Sequence, residues 1–362
     1  MANAEWGFFC RELMSWYQPE RRPMPWKAIA DPYAIWLSEV ILQQTRVEQG
    51  LPYFERFVAS YPTVTELAAA ADDDVMKLWE GLGYYSRARN LLKAARVVAN
   101  DFDGIFPDSY AGLLALPGVG PYTAAAIASF AFDRPVAVLD GNVYRILARY
   151  ADDPTPIDTG GARKHFQVLV DTALGDASAR RFNQAIMDFG ALVCTPRNAG
   201  CASCPLAKGC QASNEGTVYE RPVKEKKLKR RTRYFHFLVV KDEAGRTIIE
   251  QRTDKDIWQE LYQFPLLETT RKGLTTADLA GEANWPAAIP PAALTFLRRS
   301  PPLKQQLTHQ TIVAVFHHFR WDKMPEKMKD RQLIKNKMLS KCAFPRVIAK
   351  YLEEKSLLLD LF

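Results

Sequence analysis

Four of the six cysteines in this 362-residue chain, Cys194, Cys201, Cys204 and Cys210, stand in one turn-rich stretch, CTPRNAGCASCPLAKGC, spaced C-x6-C-x2-C-x5-C. Thiolates gathered this way without a metal repel one another or oxidise, and a metal ion or an iron–sulfur cluster removes both difficulties. An all-thiolate donor set suits a tetrahedral zinc or a [4Fe–4S] cluster. Zinc sites commonly pair two C-x2-C knuckles. Here there is one, flanked by wider gaps, which better suits the larger cluster. A disulfide-stapled loop is the alternative and belongs to secreted chains. The N-terminus, MANAEWGFFCRELM, has no basic segment followed by an apolar run, so no secretory signal is read there. No apolar stretch is long enough to span a bilayer. A reducing, cytoplasmic setting without membrane contact is therefore expected. Cys10 and Cys342 stand apart and read as ordinary buried thiols.

The length suggests two domains. Charge is unevenly spread along them. Residues 1–219 hold 20 Lys and Arg against 24 Asp and Glu, a net of −4. Residues 220–233, ERPVKEKKLKRRTR, hold 8 against 2, a net of +6. Residues 234–362 hold 20 against 15, a net of +5. A polyanion would thus meet the first part through local patches and backbone amides. The basic run reads equally as a solvated linker and as a phosphate contact.

Residues 1–219 read as mostly helical, with amphipathic stretches at 35–49, 64–80, 86–101, 121–132, 141–151, 163–174 and 180–192. Beyond the basic run the pattern changes. FHFLVVKD and RTIIEQR alternate like paired strands around DEAG, TIVAVFHHFRW is a further strand, and 344–356 closes as a helix. An α+β domain with an antiparallel sheet is expected.

Residues 113–127, LLALPGVGPYTAAAI, predict two helices joined by a tight loop, with Pro121 opening the second. Gly118 and Gly120 leave backbone N–H groups free to face a phosphate at a helix N-terminus, a grip on nucleic-acid backbone that reads no sequence. Glu39 lies in IWLSEVIL, where apolar neighbours would desolvate its carboxyl and raise its pKa, as a general acid requires. Asp140, between PVAVL and GNV, reads as a helix N-cap. Its hydrogen bonds from backbone N–H groups predict a lowered pKa and a persistent negative charge.

The hairpin, VLDGNVYRILAR and the cysteine spacing together resemble the helix-hairpin-helix DNA glycosylase superfamily. Within it, DPYAIWLSEVILQQTRV and LWEGLGYYSRARNL are similar to adenine DNA glycosylases of the MutY type. The resemblance is close over residues 5–215 and looser over the C-terminal part, which is similar to that family's Nudix-like domain. It implies a mostly α helix-hairpin-helix glycosylase domain with an iron–sulfur loop at 194–210 (residues 1–219), a basic linker (220–233) and an α+β Nudix-like domain (234–362). It also implies one [4Fe–4S] cluster, and a monomer that removes adenine mispaired with 8-oxoguanine or guanine from double-stranded DNA.

By the same resemblance Glu39 protonates adenine and Asp140 stabilises or traps the oxocarbenium sugar, with Asn142 positioning it. Bifunctional relatives carry a lysine where this chain has Tyr122. A phenol has no amine for a Schiff base, so hydrolysis without strand cleavage is expected. Arg22, Trp26, Leu42 and Gln184 fall near the adenine pocket, and Lys27 replaces the family's usual arginine. Gln43, Gln44, Thr45, Leu82 and Tyr84 match residues that fill the gap and contact 8-oxoguanine. Leu307-Thr308-His309 takes the place of a Phe-Ser-His loop, keeping hydroxyl and imidazole. The C-terminal part lacks the carboxylate run with which Nudix hydrolases hold magnesium, so it reads as a recognition module. A thymine-glycol glycosylase/lyase and a non-catalytic iron–sulfur DNA sensor are the competing readings.

Overall fold

The computed structural model describes residues 3–225, 230–271, 274–287, 289–321 and 333–356. Part of the basic run, residues 226–229, lies outside them. The chain divides into two units, one of residues 1–69 and 90–227 and the other of 70–89 and 228–362. Two boundaries thus differ from those expected. Residues 70–89 group with the C-terminal part, and a strand begins at Arg231, inside the expected linker. The first difference has a visible cause. Glu80 accepts from the Phe344 N–H at 2.9 Å, the Tyr85 hydroxyl donates to the Phe344 carbonyl at 3.3 Å, and Lys77 donates to the Cys342 carbonyl at 3.1 Å.

The helices are α1 (Asn3–Trp16), α2 (Pro32–Leu42), α3 (Val47–Ser60), α4 (Val64–Ala69), α5 (Asp72–Leu78), α6 (Ser86–Asp101), α7 (Tyr110–Leu114), α8 (Pro121–Phe132), α9 (Gly141–Tyr150), α10 (Ala162–Leu174), α11 (Ala179–Leu192), α12 (Gln211–Glu215), α13 (Thr276–Ala280) and α14 (Arg346–Ser356). Where the sequence predicts one helix over 35–49, the structure has two. α2 stops at Leu42, and Gln44 takes a left-handed conformation, φ 55°, before α3 starts. The stretch 64–80 likewise breaks into α4 and α5.

In the first unit α2 is the central element. Asp31 caps it, accepting from the N–H groups of Tyr33 and Ala34 at 3.1 Å each, and every residue from Tyr33 to Ile41 is buried. Its principal partner is α8, whose small side chains at Ala124–Ala126 permit close approach. Trp36 is fully buried here, and its replacement by Ala would cost about 3–5 kcal/mol. α11 packs on α1, α8 and α9. Between α7 and α8, Gly118 is required twice over. Its φ is +72°, and a Cβ there would stand 2.4 Å from the Asn90 Cβ.

The second unit holds a seven-stranded sheet of order β6-β8-β1-β2-β9, with β5 also on β1 and β7 also on β8. The strands are β1 (Arg231–Lys241), β2 (Arg246–Ile248), β3 (Glu250–Gln251), β4 (Tyr262–Gln263), β5 (Leu266–Thr269), β6 (Leu294–Arg299), β7 (Leu303–Gln306), β8 (Gln310–Trp321) and β9 (Leu333–Lys335). The expected antiparallel sheet is in fact mixed. β1 and β8 run parallel from Arg231↔Gln310 to Lys241↔Arg320. The long intervening chain, carrying β2 to β7 and α13, provides the crossover that a parallel pair needs. Leu238, Val240, Ile248, Ile289, Phe319 and Trp321 form a core cluster on this sheet. No helix among the described residues is long and apolar enough to cross a membrane.

Candidate active site

An open cleft of about 650 Å³ in the first unit gathers most of the site residues expected there. Glu39, Asp140, Tyr122, Asn142, Arg22, Trp26, Leu42, Gln43, Gln44, Thr45, Gly118 and Gly120 all line it. Glu39 comes from buried α2, Tyr122 from the first turn of α8, and Asp140 and Asn142 from the start of α9. A Cβ at Gly120 would meet nothing within 4 Å, so the hairpin presents open backbone there.

Glu39 is buried among apolar neighbours, and burial pushes its pKa up to about 7, with the neighbouring Tyr122 hydroxyl, which donates to Met187 Sδ at 3.7 Å, working to lower it. Burial, together with the negative charges of Glu39 and Asp140, raises Tyr122 well above the ordinary phenol value, so it stays protonated. Asp140 caps α9 as predicted. Its Oδ1 accepts from the N–H groups of Asn142 (2.9 Å) and Val143 (2.8 Å), and its Oδ2 accepts from Asn142 Nδ2 at 3.1 Å. The expected depression of its pKa is not found. Burial outweighs those donors, and the net direction is upward. The two carboxyls therefore differ in donors rather than in the direction of shift. Asp140 has charge-assisted N–H bonds to hold its anion, and Glu39 has a phenol.

A smaller pocket beside Glu39 is lined by Arg22, Trp26, Gln184, Met187 and Asp188. Trp26 is fixed edge-on against Phe54, with ring centroids 5.1 Å apart. Asp188 was not singled out from sequence. It is buried, paired with Lys27 and, at 3.2 Å, with Arg22 Nη1. Its signal lay in α11, where a carboxylate stands beside Ala185, Ile186 and Phe189 in a buried stretch and so needs a cation. Lys27 supplies one, and it also donates to the Arg22 carbonyl at 2.7 Å.

Arg145 was also missed. Its Nη2 donates to Asn142 Oδ1 at 2.9 Å and to the Gly190 carbonyl at 2.7 Å, and its Nε to the Cys194 carbonyl at 2.7 Å. A continuous hydrogen-bonded path thus joins Asp140, Asn142, Arg145 and Cys194. Gly190 makes it possible, since a Cβ there would stand 2.7 Å from the Asn142 Cβ.

Cys194, Cys201, Cys204 and Cys210 line one cavity, together with Arg149 and Leu206. Arg149 Nη1 donates to Cys194 Sγ at 3.4 Å and to the Thr195 carbonyl at 2.7 Å. Burial, with some contribution from the other three sulfurs, raises Cys204 to about 11. Among the described residues, no three His, Cys, Asp or Glu side chains are grouped so as to hold a single metal ion. Cys10 and Cys342, expected to be buried, are half-buried.

The remaining expected residues lie in the second unit, around a cavity of about 360 Å³ lined by Leu82, Tyr84, Arg89, Trp258, Thr308 and His309. Tyr84 is left-handed (φ 46°) and 45% exposed, and its hydroxyl meets that of Thr308. Arg87 holds this turn, donating to the Gly83 carbonyl at 3.2 Å under the Trp79 ring. The 307–309 loop is closed by Leu307 N–H to the Gln310 carbonyl at 2.8 Å.

Residues 37–171 match the family described as HhH-GPD superfamily base excision DNA repair protein, and residues 236–354 match the NUDIX domain. An adenine DNA glycosylase of Buchnera aphidicola subsp. Schizaphis graminum is 37% identical over 265 residues, covering 73% of this chain and 76% of that protein. The chain belongs to the adenine DNA glycosylase family. The rat and human adenine DNA glycosylases are 43% and 42% identical over 56% and 58% of this chain, which spans about two fifths of their length. Among solved structures, a thermostable thymine-DNA glycosylase superposes with a TM-score of 0.55 at 29% identity, over 59% of this chain and 98% of its own. A non-covalent endonuclease III–DNA complex, at 20% identity and a TM-score of 0.51, shares the fold over 60% of this chain and 99% of its own. The chain is thus a base excision repair DNA glycosylase, a hydrolase of N-glycosidic bonds, with a Nudix-like C-terminal domain.

Proposed function

We propose that this glycosylase removes adenine opposite 8-oxoguanine or guanine from double-stranded DNA, as a monomer and without cutting the strand. The observation that carries this reading is the pairing of Glu39, a buried acid with a pKa of about 7, with Asp140 in one cleft. An adenine anion is a poor leaving group, so the base must be protonated, and a carboxyl half-protonated near neutrality is suited to donate that proton. The sugar then develops positive charge. Asp140, its anion held by Asn142 and Val143 N–H groups, is suited to stabilise it. The cleft must receive an extruded base, since the target atoms are inaccessible within the stack.

By the resemblance, Tyr122 stands where bifunctional relatives carry a lysine, and a phenol, having no amine for a Schiff base, supports hydrolysis rather than strand cleavage. Four thiols around one cavity, with Arg149 against Cys194, fit an all-cysteine [4Fe–4S] cluster. Cys194, Cys201, Cys204 and Cys210 would hold it, and it would cross-link the loop that Arg145 joins to Asn142. In the second unit, Tyr84, Thr308 and His309 offer hydroxyl and imidazole groups suited to 8-oxoguanine. The chain between residue 220 and the start of β1 at Arg231 is assigned to linking the two parts.

The test incubates the protein with a duplex carrying adenine opposite 8-oxoguanine. Alkali-dependent strand breakage at the adenine is expected. Breakage before alkali, with borohydride capture through a lysine, would favour the glycosylase/lyase reading. No breakage at all would overturn the assignment.

A further inference from the structure

Gln184 lines the pocket beside Glu39, and its side-chain amide is not free to turn. The Tyr17 hydroxyl donates to Gln184 Oε1 at 2.6 Å. Tyr17 is buried at the end of α1, with 7% of its surface exposed, and its hydroxyl hydrogen has no other acceptor among the described residues. If the amide were reversed, the phenol would accept from Nε2 and its own hydrogen would be left buried without a partner, a costly arrangement. The carbonyl oxygen of Gln184 is therefore committed to Tyr17. Its Nε2 donates to no protein group among the described residues, so the pocket meets Gln184 as a hydrogen-bond donor.

We infer that Tyr17 is a positioning residue that sets Gln184 to donate to a ring nitrogen of the extruded base. The inference rests on the proposed adenine substrate and deepens it. Adenine offers lone pairs at N1, N3 and N7. With N7 taken by the proton from Glu39, N1 and N3 are left for Gln184. A site that presents a fixed donor rejects a base lacking the matching acceptor more strongly than an amide free to turn. Burial raises the Tyr17 pKa to about 12, assisted by the nearby Asp188 carboxylate, so the hydroxyl stays protonated and remains a donor across the working range.

The test uses the full-length protein and single-turnover excision opposite 8-oxoguanine, with adenine, 1-deazaadenine or 3-deazaadenine at the target position. Tyr17→Phe keeps the ring and removes the hydroxyl. The variant is expected to excise adenine about tenfold more slowly than the wild type, the scale of one hydrogen bond. That factor should vanish with one of the two deaza bases, since the acceptor is then already missing. Gln184→Glu, which keeps an acceptor for Tyr17 but cannot donate when ionised, should show the same loss and the same insensitivity. Equal losses of Tyr17→Phe on all three bases would mean a merely structural role and would overturn the inference. So would an unchanged adenine rate. Wild-type protein that fails to excise adenine would sink the functional reading itself, which separates the two failures.

Discussion

The groups assigned to chemistry in the first unit and those assigned to recognition in the second sit in opposite environments. In the first, the groups assigned to chemistry are buried or partly buried, Glu39 near Tyr122 and Asp140 under two backbone N–H groups, and the neighbouring Asp188 is buried against two cations. In the second, the groups assigned to recognition stand on loops around an open cavity, with Tyr84 nearly half exposed. The difference follows from the tasks. Shifting a carboxyl toward neutrality needs removal from water, whereas reading a base edge needs groups that water can leave cheaply. Substitutions in the first unit should therefore change rate by orders of magnitude, and those in the second should change preference by small factors.

The sharpest test of that contrast is at the two carboxyls. Glu39→Gln and Asp140→Asn should each slow excision by about 10²–10⁴-fold in single-turnover assays while DNA binding stays measurable by fluorescence anisotropy. An asparagine in place of Asp140 keeps an oxygen for the Asn142 and Val143 N–H groups, so the α9 cap survives. Cys201→Ser should act differently, lowering thermal stability and DNA affinity together. Loss of excision with full affinity would contradict the supporting role given to the cysteine loop.

Proton linkage at Glu39 gives the next effect. Its folded pKa of about 7 lies above the ordinary 4.5. The burial penalty is thus absent below pH 4.5, grows as pH rises, and is complete above about 7, reaching about 3 kcal/mol. Excision should fall about tenfold per pH unit above 7. The melting temperature of Glu39→Gln relative to wild type should rise between about pH 5 and 8. A flat difference would place the carboxyl in water. The smallest effect is expected at Thr308→Ala, a roughly 2- to 10-fold loss of preference for 8-oxoguanine over guanine, with the rate opposite guanine unchanged. A change in that rate would blur the division between the units.

Several elements were legible before folding. The span 121–132 is helical as read, because Pro121 opens it and Ala-rich sequence sustains it. The N-cap at Asp140 follows from its position before Gly-Asn-Val. The break after Leu42 was not legible, since Gln43-Gln44-Thr45 carries no strong breaker, and a left-handed Gln44 is not signalled by its residue type. The parallel pairing of β1 and β8 joins segments far apart in the chain, and hydrophobic alternation looks the same in either direction. The carboxylate of Asp188 in the apolar stretch of α11 was legible, but its pairing with Lys27 was not, because an ion pair joining two segments far apart in the chain leaves no local signature.

The sequence alone determined which chemistry was available: four thiols at cluster spacing, a hairpin without side chains, a glutamate among apolar residues and an aspartate at a helix start. These are local facts, set by residue type and spacing. Tertiary structure decided the environments. It buried Asp140 enough to reverse its expected shift, tied Asn142 through Arg145 to Cys194, and committed the Gln184 carbonyl to Tyr17. Desolvation and hydrogen-bond direction depend on which distant groups share a volume, and only the folded chain specifies that.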